Sequence, residues 1–314
     1  MRASWLVSVL VLSLATACTS RSGSESDADR CSNGMDDDGD GLIDCRDPAC
    51  SVHAWCSGAS DAGMVDAGPP IDSGPRPDGA ACTAPLDVTF VIDVSTSMTE
   101  ELSSIRDGMG AIWDAATALT PNTQFTLVVF VDDALAVSGC APFTSREALQ
   151  SELDTWREFC ASNRSPASDT VNTDCPENSL DALYLAATTC PWRSGSTRVL
   201  VHVTDDTFVE RPGVLSGEWG GGVFVMQTYD EVQTALVSRQ LRVGAFAMPG
   251  AGEECGAGSS PNVGQGFHEG YGDNPSLPEA TGGRAWDLRE VRAGRLSMAD
   301  AIIEMIRDEY CTLF

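Results

Sequence analysis

The sequence predicts an α/β head: a doubly wound, mostly parallel sheet flanked by helices, with a small Cys-rich module ahead of it at the N-terminus. Three observations predict this. Between residues 82 and 314, short apolar runs alternate with stretches of helical spacing, the pattern of a parallel sheet wrapped by helices. Acidic and hydroxyl residues crowd the places where those runs end, which is where such sheets hold ligands. Residues 31–56 carry four Cys around an Asp-rich loop, a unit too small to have a core of its own.

The elements follow in order. Leu86–Asp93 reads as the first strand, because Val88-Thr89-Phe90-Val91-Ile92 is continuous enough to be buried on both faces. Glu100–Leu119 has helical spacing through Leu102, Ile105, Met109, Ile112 and Trp113. Thr123–Asp132 and Leu135–Ser138 read as strands, and Ser145–Phe159 as a helix capped by Ser145. Asn163–Asp174 is a polar loop. Ser179–Thr189 is helical and Thr197–Thr204 a strand; Tyr229–Arg239 is helical and Arg242–Met248 a strand. Pro249–Pro278 is a long loop rich in Gly, Ser and Pro, a kind that usually carries function or mobility. Ala285–Leu288 reads as the last strand and Met298–Tyr310 as the closing helix. Trp156, Trp192, Trp219 and Trp286 read as core or loop anchors, and His202, inside a strand, as a core residue with its hydrogen bonds satisfied. No internal repeat is evident.

Directly after the first strand stands Asp93-Val94-Ser95-Thr96-Ser97. A carboxylate and two hydroxyls at i, i+2 and i+4 can converge on one point, and oxygen-only ligands suit a hard divalent cation such as Mg2+. The competing reading is an ordinary helix cap, where Ser and Asp are common. Two more segments favour the cation. Asn172-Thr173-Asp174-Cys175-Pro176-Glu177 precedes the helix that starts near Asp181-Ala182, and Asp205-Asp206 follows the strand Arg198–Val203. In a parallel sheet these three loops meet over one edge.

In this ordered combination the chain resembles the von Willebrand factor type A domain, a Rossmann-like fold, and within it the I-like domain of integrin β subunits. The shared residues are Asp93, Ser95 and Ser97, then Asp132 after Phe130-Val131, then Asn172, Asp174, Pro176, Glu177, Asp181 and Ala182. The resemblance covers roughly residues 84–314. It implies that Ser95, Ser97 and Glu177 ligate a central cation while Asp93 and Asp205 hold its waters. It also implies an adjacent Ca2+ site from Asp132, Asn172, Asp174, the Pro176 carbonyl and Glu177, and a third site at Glu100 and Glu101. Two departures stand out. Glu100-Glu101 replaces the family's usual Asp-Asp, and Asn178-Ser179 replaces Gly-Gly, where Gly tolerates positive φ and Ser does not. The family's loop matching Asn163–Asp174 shapes partner choice.

Two hydroxyls and one carboxylate leave Mg2+ (or Mn2+) underneutralised and one of its six positions open. The expected function is therefore binding of a protein partner through an exposed Asp or Glu that displaces water from the cation. An alternative is a structural envelope component whose metals only rigidify the fold. A metal-dependent hydrolase, a third reading, would need a base near the bound water. His53, His202 and His268 are the three histidines, and none has metal-ligand spacing. No nucleophile elbow, phosphate loop or His-Glu-x-x-His is present.

Residues 1–17 read as an export signal, with Arg2 ahead of the apolar core Leu6–Leu14. Leu-Ala-Thr-Ala-Cys resembles the bacterial lipobox, which implies lipidation of Cys18 and anchorage to the envelope, with Thr19 favouring the outer membrane; plain signal cleavage is the other reading. Residues 18–30 are a polar tether. In the module 31–56, Asp36, Asp38, Asp40, Leu42, Asp44 and Asp47 occupy the ligand positions of an EF-hand-like Ca2+ loop, with Gly41 at the sharp turn. This resembles the solitary loops of dockerin or thrombospondin type 3 repeats; an acidic, turn-rich linker is the alternative. Residues 57–81 form an Asp/Ala/Gly/Pro linker.

The formal charge is −27 and every Lys-or-Arg position is Arg. That argues against nucleic acid, which needs basic patches, and fits a chain that gathers divalent cations, although part of it simply solvates the surface. Twelve Cys in an exported chain point to disulfides. Cys31, Cys45, Cys50 and Cys56 cluster in the small module. Cys82 and Cys311 bracket the head, and a bridge between them would tie its ends, as in some domains of the resembled family. Cys140, Cys160, Cys175, Cys190 and Cys255 remain, an odd number whose pairing is open.

Overall fold

The computed structural model describes residues 82–216, 222–250 and 262–312. All belong to the second of two units into which the chain divides, Pro75–Phe314. The export signal, Cys18, the tether, the Ca2+ loop and the linker lie outside the described residues, as do Trp219 and Cys255.

In chain order the strands are β1 (Leu86–Asp93), β2 (Thr123–Phe130), β3 (Ala134–Ala136), β4 (Thr197–Val203), β5 (Val214–Leu215), β6 (Val223–Phe224), β7 (Arg242–Ala247) and β8 (Arg284–Asp287). The helices are α1 (Thr99–Leu119), α2 (Arg146–Phe159), α3 (Ser179–Thr189), α4 (Tyr229–Ser238), α5 (Leu277–Thr281), α6 (Leu288–Arg292) and α7 (Met298–Glu309). Six strands form one sheet of order β3-β2-β1-β4-β7-β8, and β5 pairs with β6 in a separate ribbon. Every neighbouring pair in the large sheet is parallel except β2 with β3. The predicted doubly wound α/β fold is what the chain adopts.

β1 is buried at all eight positions, as its unbroken apolar run requires. Val88, Phe90 and Ile92 join a core with Leu102, Ile105 and Met109 of α1, Leu149 of α2 and Ile302 of α7. Val91 belongs to a second core with Leu180 and Leu183 of α3, Val232 of α4 and Leu277 of α5. Each fully buried side chain of this size contributes about 1.5–3 kcal/mol, so the two layers hold the sheet from both sides. Asp87, at 1% exposure, is tolerated in β1 because Arg193 and Ser196 bind its carboxylate.

Several boundaries differ from expectation, each for a local reason. β2 stops at Phe130, because the Val131 N–H turns to the Asp133 carbonyl at 3.1 Å instead of continuing the ladder. The expected strand Leu135–Ser138 shortens to β3: Ser138 and Gly139 take φ of 52° and 64°, which ends pairing. The loop after Pro249 ends in α5, which is capped by Ser276 and closed by Gly282 at φ 68°. The last strand ends at Asp287, whose side chain accepts the Arg289 N–H and starts α6. Ser145 caps α2 as expected, accepting the Ala148 N–H.

Cys82 is bridged to Cys311, with Cα atoms 6.0 Å apart. Cys140 is bridged to Cys190, and Cys175 is also disulfide-bonded. Cys160 is a buried free thiol, donating to the Trp156 carbonyl at 3.4 Å. Trp156 is buried, Trp192 Nε1 donates to the Ala186 carbonyl, and Trp286 stacks on Phe246, so these three are anchors. His202 is buried between Phe130 and Phe267, but neither ring nitrogen has a hydrogen-bond partner. Its hydrogen bonds are thus not satisfied as expected; burial pushes its pKa down to about 3 and keeps the ring neutral. Among the described residues no helix is long and apolar enough to cross a membrane.

Candidate metal centre

Asp93 closes β1 with its side chain fully buried. Its Oδ1 accepts the Ser95 N–H at 2.8 Å, and its Oδ2 accepts the Thr204 hydroxyl, just past β4, at 2.8 Å. This carboxylate thereby locks the loops after β1 and β4 together. The Ser95 and Ser97 hydroxyls lie 3.1 Å apart, and Ser97 Oγ donates to Asp205 Oδ1 at 2.9 Å. The intervening Thr96 is tied elsewhere, donating to the Cys160 carbonyl and to Asn163 Oδ1. Ser95 opens the short 3-10 turn Thr96–Met98 without any side-chain capping bond. The helix-cap reading of these hydroxyls therefore does not describe them.

Glu177 reaches the same edge from the loop before α3. Its N–H donates to the Thr207 carbonyl at 2.8 Å, which pins it to the loop after β4. Its Oε1 accepts Asn172 Nδ2 at 2.8 Å, while Oε2 is buried without a partner. Asp132 follows β2 and is fully buried; its Oδ2 accepts the Ser165 hydroxyl at 3.0 Å and its Oδ1 has no partner. Asp174 is turned onto Ser216, accepting its N–H at 2.8 Å and its hydroxyl at 3.2 Å. Pro176 lies half-buried in the same loop. Asn178, in the place of a family Gly, has φ −87° and caps α3, so no left-handed backbone is needed there. Its Nδ2 donates to the Asp132 carbonyl and to Asp181. Asp181 in turn accepts the Met226 and Gln227 N–H groups.

The residues expected at the central and adjacent sites thus share one edge of the sheet. The donor chemistry fits hard cations: two hydroxyls in contact, and buried carboxylate oxygens of Glu177 and Asp132 with nothing to bind. No three or more His, Cys, Asp or Glu among the described residues are grouped to hold an ion by themselves. The fit depends on the hydroxyls and on Asn172 as much as on the acids.

Electrostatics point the same way. Burial, then the nearby charge of Asp205, raises Asp93 to about 7. Burial, then Asp93 and Asp205, raises Asp206 to about 8, and burial raises Asp132 to about 6. Glu177 is raised well above the usual carboxylate range by burial and by Asp93, Asp132 and Asp206. A folded carboxylate with a raised pKa holds protons that the unfolded chain has released, so its contribution to stability is lost as pH rises through the folded pKa. Cation-free protein is therefore expected to lose stability from about pH 4 to pH 8. The melting temperature of cation-free protein should accordingly fall between pH 5 and pH 8. Mg2+ and Ca2+ need ionised ligands, so their stabilising effect should grow over the same range. Melts of chelator-treated protein at pH 5, 6.5 and 8 check this, and a flat or rising trend rejects it.

Glu100 and Glu101 differ in their surroundings. Glu100 is exposed, whereas Glu101 is 1% exposed and bound through Oε1 to Arg292 Nε at 2.5 Å; its Oε2 has no partner. Arg292 Nη2 also donates to Asp205 Oδ2 at 2.6 Å. Burial opposes the guanidinium charge, but the bonds to Glu101 and Asp205 outweigh it and raise its pKa.

Four contributors escaped sequence reasoning: Thr204, Ser165, Ser216 and Arg292. Thr204 alone carried a signal, as the hydroxyl beside Asp205-Asp206 at a strand end. Ser165 and Ser216 sit in polar loops with no pattern, and Arg292 lies on a five-residue helix.

The family model for the von Willebrand type A-like domain of integrin beta-like proteins A–E matches residues 82–211. No curated protein matches the chain. Among solved structures, the chain is similar to an aerotolerance-related membrane protein from Bacteroides fragilis with multiple mutations to serines, at 13% identity over 71% of this chain and 99% of that one, with a TM-score of 0.43. It is also similar to a conserved hypothetical protein, BatB, from Bacteroides thetaiotaomicron, at 13% identity over 71% and 99% of the two chains and a TM-score of 0.40.

Proposed function

We propose, from the von Willebrand type A-like match over residues 82–211, that the head binds a protein partner by an exposed carboxylate, through a divalent cation at the C-terminal edge of the sheet. Ser95, Ser97 and Glu177 would hold Mg2+ or Mn2+, with Asp93 and Asp205 orienting water. Asp132, Asn172, Asp174, Pro176 and Glu177 would hold Ca2+ beside it. The cation supplies positive charge for the incoming acid. The protein's part is to keep the donors fixed: Asp93 clamps the Ser95 loop to Thr204, and Thr207 clamps Glu177.

The observation that carries this reading is the pair of buried, partnerless oxygens, Glu177 Oε2 and Asp132 Oδ1, on loops at the sheet edge that also carries two touching serine hydroxyls. Leaving such groups unmet costs several kcal/mol each, which a hard cation offsets. A binding role fits these donors better than hydrolysis, because the histidine on this sheet, His202, is buried away from solvent and neutral. We further propose that a lipid on Cys18 anchors the chain to the envelope, probed by mass spectrometry of the mature N-terminus, and that the Ca2+ loop of residues 36–47 stiffens the stalk.

The test is capture of envelope proteins on the immobilised full-length chain in Mg2+, in EDTA, and in Mg2+ after blocking the extract's carboxyl groups with carbodiimide and glycinamide. Capture should occur in the first condition and fall at least about 10-fold in the other two. Equal capture in all three would discard the reading.

A further inference from the structure

We propose that Arg292 is a built-in cation standing where a third metal ion would otherwise bind, so that Glu100 and Glu101 take up no divalent ion in this protein. The inference rests on the cation-binding reading above, and it concerns the one part of the predicted site that the side chains do not fit.

Glu101 is 1% exposed, and Glu100 beside it is exposed, so the two carboxylates have different environments. Into the buried one reaches Arg292, the last residue of α6. Its Nε meets Glu101 Oε1 at 2.5 Å and its Nη2 meets Asp205 Oδ2 at 2.6 Å. A guanidinium is a flat fork of donors, and it bridges two carboxylates from separate segments as a point charge cannot. A divalent ion at Glu100 and Glu101 would need carboxylate oxygens at about 2.0–2.6 Å, and the guanidinium already holds Glu101 Oε1 while its charge repels a second cation beside it. The charge of Arg292 is permanent at any working pH, and as part of the chain it is present whether or not calcium is. The other Glu101 oxygen, Oε2, is buried and has no partner. The guanidinium satisfies half of the carboxylate where a coordinated ion could take both oxygens.

Arg292 also touches the central site. Asp205 accepts from Arg292 with one oxygen and from Ser97 with the other. The guanidinium is thus a positioning residue for Asp205, and it offsets one negative charge beside the serine pair.

The experiment counts ions. Full-length wild type and Arg292→Ala are dialysed to equilibrium against Ca2+, and bound metal per chain is measured by mass spectrometry. The N-terminal loop contributes equally to both, so the difference reports the head. The variant should bind one more ion per chain, and Arg292→Ala with Glu101→Gln should return to the wild-type count. Arg292→Lys, which keeps the charge, should add none. In thermal melts, Arg292→Ala should fall below wild type in chelator and gain more from Ca2+ than wild type does. If that variant is unfolded in chelator, folding on addition of Ca2+ supports the proposal, and failure to fold in either condition overturns it. Equal ion counts in Arg292→Ala and wild type also overturn it. Should Glu177→Gln abolish uptake while Arg292→Ala adds nothing, this inference alone falls. Should no head-dependent uptake exist in any variant, both it and the proposed function fall.

Discussion

Glu177→Gln is expected to abolish cation-dependent partner binding while leaving the metal-free head as stable as wild type or more so. The two effects separate because of what Glu177 touches. Its Oε1 accepts from Asn172, a bond that Gln retains. Its Oε2 meets nothing, and its charge is opposed by Asp93, Asp132 and Asp206. Gln is neutral at every pH, so the empty fold no longer has to hold a proton there against its neighbours, but it lacks the carboxylate common to both proposed sites. Changes to groups that merely orient metal ligands cost 10–100-fold in affinity, so losing a ligand should cost at least about 100-fold. Titration calorimetry with Mn2+, paired with melts in chelator, measures both quantities. A variant that takes up Mn2+ as wild type does would show that Glu177 is not a ligand. A collapse of the metal-free melt would instead assign it a structural role.

The second large effect is expected at the Cys82–Cys311 bridge. The cysteines are 229 positions apart, so the bridge constrains nearly the whole unfolded head. In the chain-entropy account a loop of that length is worth about 5 kcal/mol. Replacing both residues by Ser should lower the melting temperature by about 10–20 °C, measured by thermal and urea unfolding without reductant. Divalent affinity should stay near wild type, because the bridge lies before Leu86 at one end of β1 while Asp93 ends the other. A loss under about 1 kcal/mol would mean that the reduced chain retains enough structure to make the bridge redundant.

How much of this was legible in the sequence depended on how local each signal was. β1 announced itself through consecutive apolar residues, and Asp93, Ser95 and Ser97 followed within one short turn. Glu177 was legible because Asn172, Asp174 and Pro176 lie within five positions of it. Arg292 was not, since its partner Glu101 lies 191 positions away and its helix is too short to show periodicity. Ser216 was hidden for a similar reason: it meets Asp174 across 42 positions from a segment that carried no pattern. The Cys82–Cys311 bridge was visible because its members bracket the head, whereas an odd set of five left Cys140–Cys190 open. His202 was harder to read, because a polar residue in a strand says nothing of what surrounds it; here its ring lies between Phe130 and Phe267.

The placement of β1 has a mechanical consequence. Were the proposed tether and partner both engaged, tension would enter the head at Cys82 and a partner at Ser95 and Ser97 would pull from the far end of the same strand. The load therefore runs along β1 over about 23 Å. That strand is laced in parallel register to β2 across Leu86–Asp93 and to β4 across Leu86–Ile92. Pulling it lengthwise shears both ladders at once instead of unzipping either bond by bond, and the Cys82–Cys311 bridge shares the strain with the C-terminal segment. Under the proposed anchorage and partner binding, load between the two would be carried by both ladders in shear.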